Sequence, residues 1–158
     1  MKARREKLAR SKLIGIAACV ATATLTAHAF ADDATLFARN CGACHGKAGL
    51  GIPGMAPPLA GADWAKAGKP ESRNYVPEVV LNGLSGKLAA GGRIYQGVMP
   101  PQKQRSDDEI AVLVNFVLAT LNGAPSGFKP LTAAEIESLR ATTVDHKTLL
   151  GTRAQLVR

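Results

Sequence analysis

Cys41-Gly42-Ala43-Cys44-His45 is the stretch on which the fold turns. Two thiols at positions i and i+3 can each add to one edge of a porphyrin, and the imidazole beside the second reaches the iron as an axial ligand. Read this way, the pentapeptide attaches one haem c covalently through Cys41 and Cys44, with His45 on the metal. The same pair could instead form a redox disulfide or half of a zinc site. A disulfide oxidoreductase usually sets its pair at a helix start after a strand, whereas nothing strand-like precedes Cys41, and Gly and Pro follow. A structural zinc site needs four ligands. Beyond residue 31 the chain offers no further Cys and only His146 besides His45.

The N-terminus reads as an export signal. Lys2, Arg4, Arg5, Lys7, Arg10 and Lys12 form a positive region, Leu13 to Ala27 an apolar one, and small residues then suit cleavage. Both Ala27-His28-Ala29 and Ala29-Phe30-Ala31 fit, and cleavage after Ala31 is the favoured reading. The apolar stretch is short, rich in Thr and broken by His28, which argues against an uncleaved anchor. Residues 1–31 form the expected signal peptide, residues 32–122 one domain, and residues 123–158 a C-terminal extension that packs on that domain or on a partner.

Removing the leader changes the charge argument. The formal charge is +8, but fourteen basic and eleven acidic residues remain after residue 31, leaving +3. Two haem propionates bring that to about +1. The high pI mostly reports the leader and makes no case for nucleic acid. Aromatics are only 4% of the chain, a thin supply for a core that a buried porphyrin can supplement.

Along the remaining chain, Asp32 or Asp33 caps a short helix carrying Leu36 and Phe37 into the motif. Residues 46–61 are a Gly- and Pro-rich loop. Pro77 and Glu78 suit a helix start and Gly83 its end. Ser106 and Glu109 form a capping box for the clearest helix, apolar on two faces through Leu121. A second box, Thr132 to Glu135, opens a short amphipathic helix, and after Ala141 the pattern weakens. Leu149, Leu150, Leu156 and Val157 are left to pack on the domain or a partner. No strand-rich region is evident.

A low-spin carrier needs a second axial ligand from the opposite face. Met55, Met99 and His146 are the candidates. Met55 follows His45 by only ten residues and reads as a gap-filler. Met99 lies 54 residues downstream, ample chain to wrap a ring, and Pro100-Pro101 stiffens the backbone after it. A lone His146 reads as surface or structure. Thioether ligation favours ferrous iron, and filling both axial positions blocks substrate binding at the metal.

With these residues in place the chain resembles a class I c-type cytochrome. The resemblance rests on the haem motif, Ala56-Pro57-Pro58-Leu59-Ala60-Gly61, Tyr95-Gln96-Gly97-Val98-Met99-Pro100-Pro101 and Ser106 to Ile110, in order across residues 34–121. It implies an all-α fold wrapped around one covalent haem, with a partly helical C-terminal extension. It implies His45 and Met99 as metal ligands, and first and last core helices crossing near Phe37 and Phe116. It further implies that a proline carbonyl, Pro57 before Pro58, accepts the His45 ring N–H, and that Leu59 packs on the ring. Trp64, Tyr75, Arg93 and Tyr95 are candidate neighbours of the propionates or haem edge. The tail is similar to extensions in cytochromes serving periplasmic dehydrogenases, through Thr132 to Ile136 and Arg140. Leu121 stands where the family often has an aromatic.

The leading functional reading is a periplasmic one-electron carrier rather than an enzyme. It would dock redox proteins (dehydrogenase, reductase or terminal oxidase) through Gly42, Ala43, Val98 and Pro100, with Lys47 and Lys103 at the rim. It binds no nucleic acid and has no membrane span after leader cleavage. The alternative is a dedicated cytochrome subunit of a periplasmic oxidoreductase complex. A third and weaker reading, haem-based peroxide reduction or gas sensing, needs an open sixth position, against which Met99 argues.

Overall fold

Capping chemistry sets the frame of the fold. In the computed structural model, which describes residues 32–64, 67, 69, 72–124 and 126–156, helical segments dominate. The expected leader and Val157 lie outside the described residues. Contacts divide the chain into two units, Met1–Thr35 and Leu36–Arg158; the start of α1 falls in the first and every other element below in the second.

The elements are α1 (residues 32–40), α2 (Gly42–His45), a 3-10 turn (Ala62–Trp64), α3 (Tyr75–Asn82), β1 (Leu84–Ala90), β2 (Arg93–Met99), α4 (Asp107–Asn115), a π-helical turn (Phe116–Leu121), α5 (Ala133–Arg140) and α6 (His146–Leu156). Both capping boxes form. Ser106 Oγ accepts from the Glu109 N–H at 3.2 Å, while Glu109 Oε2 accepts from the Ser106 N–H at 3.3 Å. Thr132 and Glu135 repeat the arrangement at α5. Each satisfies N–H groups that a helix start otherwise leaves unpaired.

Phe37, fully buried, meets the Phe116 ring at 5.1 Å between centroids, tilted by 35°. Around this contact gather Leu81, Ile110, Val114 and Leu118. From Phe116 the α4 ladder widens to π geometry. Asn122 Nδ2 donates to the Val117 carbonyl at 2.7 Å just beyond. Such a turn rotates the following side chains to a new face, so the apolar stripe through Leu121 does not run straight. Leu121 covers Gly49, where an added Cβ would come within 2.6 Å of it.

An antiparallel hairpin joins α3 to the Met99 segment, where only glycine punctuation is evident from sequence. Leu84 pairs with Met99 and Ala90 with Arg93. The two-residue turn Gly91-Gly92 has φ of 54° and 71°, the left-handed backbone that tight hairpins require and glycine supplies. The helical frame of the expected fold stands, with this small sheet added.

The tail folds back on the same core. Leu149 and Leu156 of α6 and Ile136 of α5 are buried in it. Asn115 holds Leu131 by two bonds of 2.8 Å, one to its carbonyl and one from its N–H. Leu150 packs against Gly86 of β1, which has φ of 130° and no room for a Cβ. Burying side chains such as Leu149 contributes roughly 1.5–3 kcal/mol each.

Candidate functional site

The loop after α2 folds on itself through its own backbone. The Gly51 N–H donates to the His45 carbonyl at 2.8 Å, and Leu59 and Ala60 both donate to Gly49 at 2.7 and 3.1 Å. Ile52 and Ala56 form a bridge between them. Gly51, at φ 75°, passes so close to Pro58 N that a Cβ would lie 2.6 Å away.

This packing turns three successive carbonyls toward side chains. Pro57 O accepts from His45 Nδ1 at 2.8 Å, Pro58 O from Trp64 Nε1 at 3.0 Å, and Leu59 O from Asn122 Nδ2 at 2.8 Å. Since a carbonyl can only accept, His45 carries its proton on Nδ1 and keeps Nε2 as a lone-pair donor. Burial lowers the His45 pKa, opposed by the bond to Pro57, so the ring favours the neutral form a metal needs.

Opposite this loop stands the hairpin. Side chains two apart share a strand face, and Leu84, Gly86 and Leu88 of β1 with Tyr95, Gly97 and Met99 of β2 line one cavity. Gly86 pairs with Gly97 across the ladder, which keeps the centre of that face free of side chains where a ligand can approach. Gly83, at φ 73°, lies beneath Met99: a Cβ there would be 2.6 Å from the Met99 carbonyl.

The cavity measures about 340 Å³, within the size range of cofactor pockets. Cys41, Cys44, His45, Pro57, Leu59 and Met99 all line it. Cys41 is half-buried and Cys44 exposed, both as free thiols. Burial raises the Cys41 thiol pKa, Arg105 opposing and Cys44 adding to the rise. Apolar side chains dominate the walls, and among the described residues the charged ones are Arg105 and Arg153, with no Asp or Glu. That donor set suits a flat, apolar, metal-bearing group with acidic substituents: thiols at one end, an unprotonated imidazole nitrogen and a thioether among the walls, and cations for the acids.

The other candidates separate. Met55 lines the cavity, yet at 58% exposure it is a rim residue rather than a core filler. His146 is not among the lining residues, and its Nδ1 accepts from the Ser85 N–H at 3.1 Å, tying α6 to β1. Trp64, Tyr75 and Tyr95 line the cavity, whereas Arg93 is exposed and does not. The Trp64 N–H is already committed to Pro58. Arg153, which sequence reasoning missed, is 4% exposed and lines the cavity from the tail.

The pattern of the cytochrome c family matches residues 31–121. Two cytochromes c-552 from Thermus thermophilus are each 39% identical over 128 residues. The match takes in 80% of this chain and 97% and 86% of theirs, so it runs beyond the family pattern into the tail.

Proposed function

From the premise that this chain belongs to the cytochrome c family, electron-transfer haem proteins, we propose that it is a periplasmic carrier of single electrons on one His/Met-ligated haem c. The observation that carries this reading is the convergence of Cys41, Cys44, His45 and Met99 on one cavity, with the His45 proton committed to Pro57. When bound, haem supplies the one-electron ferric/ferrous couple.

The residues divide the work. Cys41 and Cys44 would hold the group by thioethers. His45 offers Nε2, its orientation fixed by the bond to Pro57. Met99 would offer its sulfur, a soft donor that favours the ferrous state and leaves no place at the metal for a substrate. Leu59 and the hairpin face exclude water. Met55 and Val98, 58% and 73% exposed, form an apolar rim at the cavity mouth where a redox protein can dock briefly. The positive leader followed by small residues supports export, and no described helix is long and apolar enough to cross a membrane.

The alternative, a dedicated subunit of an oxidoreductase, leans on the tail as a surface for a partner. Leu149 and Leu156 bury themselves in the chain's own core, so that argument loses its apolar face, and the carrier is the better reading.

Optical spectroscopy of Met99→Ala, matured with its haem-attachment machinery, tests the site. The expected outcome is covalent haem that survives denaturation, complete loss of the weak long-wavelength sulfur-to-iron band, and carbon monoxide binding to the ferrous form. A variant that stays six-coordinate and low-spin at unchanged potential removes Met99 from the iron.

A further inference from the structure

Arg153 is a buried cation with an incomplete set of partners among the described residues. It projects from α6, 90 positions after the residue it meets. Nη1 donates to the Asp63 carbonyl at 3.2 Å, and Nη2 reaches Asp63 Oδ2 at 3.5 Å, a long contact. That carboxylate oxygen is shared with the Gly91 N–H at 2.8 Å. These bonds use two of a guanidinium's five donors. A charge this buried is costly unless it is fully paired. Its Cζ stands 4.6 Å from the centre of the Trp64 ring, a cation–π contact that holds the head in place without neutralising it.

The surroundings narrow what completes the pairing. Among the described residues no carboxylate lines the cavity. Tyr75 is pushed up to about 12, chiefly by burial, so its phenol stays neutral and is no counter-ion. Trp64 has spent its N–H on Pro58. Among the described residues Asp63 is the one anion that meets Arg153, and a ligand with acidic substituents can supply another. A haem attached through the carbons nearest Cys41 and Cys44 carries its two propionates on the opposite edge. Arg105 interacts with Cys41, at the thiol end. Arg153 neighbours Trp64, Tyr75 and Asp63 instead.

Resting on the haem reading above, we propose that Arg153 pairs with a haem propionate, making the C-terminal helix a wall of the haem crevice and a determinant of its potential. The guanidinium is a positioning residue: it orients the carboxylate and, by neutralising it, favours the ferrous state. Asp63 links Arg153 to the hairpin turn at Gly91, so seating the propionate also braces the Met99 strand.

The experiment compares wild type with Arg153→Gln and Arg153→Lys. It first checks each for covalent haem under denaturing conditions, then records potentials and the propionate bending modes by resonance Raman. Expected for R153Q is a ferrous/ferric balance shifted about three- to tenfold toward ferric, tenfold being about 59 mV for one electron, with a moved propionate mode. R153K keeps the charge, so its balance stays within about twofold of wild type, while its propionate mode still moves. Should R153Q fail to fold, arginine-labelled NMR of wild type decides: Arg153 guanidinium protons exchange slowly and shift between oxidation states. A freely exchanging guanidinium in loaded wild type overturns the proposal. So do equal potentials and unmoved propionate modes across all three proteins. Wild type without covalent haem sinks the carrier reading itself, a separate failure.

Discussion

The two walls of the cavity are built by different means. The wall carrying His45 is held largely by its own neighbours: the bonds from Gly51 to His45, from His45 to Pro57, and from Leu59 and Ala60 to Gly49 close within residues 45–60, and Asn122 and Leu121 brace it from farther along the chain. The wall carrying Met99 is held from afar. Gln102 donates to Val80 at 2.8 Å. Arg140 of α5 donates to the Lys103 and Arg105 carbonyls at 2.6 and 2.9 Å and pairs with Asp107 at 2.6 Å. Leu150 and His146 of α6 press and bond against β1. One wall is closed chiefly by short-range bonds. The other depends on the tail, so disturbing α6 should reach Met99, the proposed ligand, some 50 residues earlier in the chain.

Gly51→Ala is the strongest challenge to the local wall. The new Cβ would sit 2.6 Å from Pro58 N and 2.9 Å from both Ala56 O and Pro57 C, all backbone, at φ 75°. Strain of this kind costs about 1–3 kcal/mol, and overpacking against backbone adds a similar ~1–3. The expected result is a loss of ~3 kcal/mol or more in denaturant unfolding of the holoprotein, with the Pro57 carbonyl pulled from His45. A loss under ~1 kcal/mol would mean the loop is not the rigid frame described.

Leu149→Ala probes the distant wall. Leu149 is fully buried, and truncating such a leucine costs ~2–5 kcal/mol. Because α6 backs the hairpin, the sulfur-to-iron band of the variant should fade on heating before the helical signal does. Simultaneous loss of both would show the Met99 wall to be no weaker than its counterpart, and the contrast would fall.

That contrast also explains what was readable from sequence. Proximity along the chain guarantees the Cys41 to His45 cluster, and local side-chain chemistry announces the capping boxes at Ser106 and Thr132. The hairpin hid because Leu84 to Ala90 contains no β-branched residue and its inward positions include Gly86; Gly91-Gly92 and the β-favouring Ile94, Tyr95 and Val98 of the second strand are what signal it. The π turn at Phe116 leaves no sequence mark beyond Asn122, whose amide takes up the Val117 carbonyl. Arg153 sits on a helix with weak amphipathic pattern, where an arginine reads as surface. Its burial follows from meeting Asp63 and Trp64 across 90 residues, and no local rule encodes that.

The smallest expected effect separates the ionic part of the tail's docking from its apolar part. Glu135 pairs with Arg73 at 2.8 Å and accepts from the Thr132 N–H at 2.9 Å. The Arg73 bond first, then Thr132, hold its pKa down at about 2, against 4.5 for an unperturbed glutamate. A carboxylate with a depressed folded pKa contributes stability that is present above the unfolded value and lost as pH falls through the folded one. Here that window runs from about 4.5 down to about 2. Since Glu135 is 42% exposed, solvent screens the pair, and its contribution at neutral pH is at most about 1 kcal/mol. Glu135→Gln should therefore be less stable than wild type by up to ~1 kcal/mol at pH 7, with the gap closing as pH approaches 2. Unfolding curves for both proteins across that range measure it. A gap that persists unchanged to the acid end would assign the role of Glu135 to a charge-independent contact that the amide loses, rather than to charge. The tail would then be held on the core almost wholly by its buried leucines.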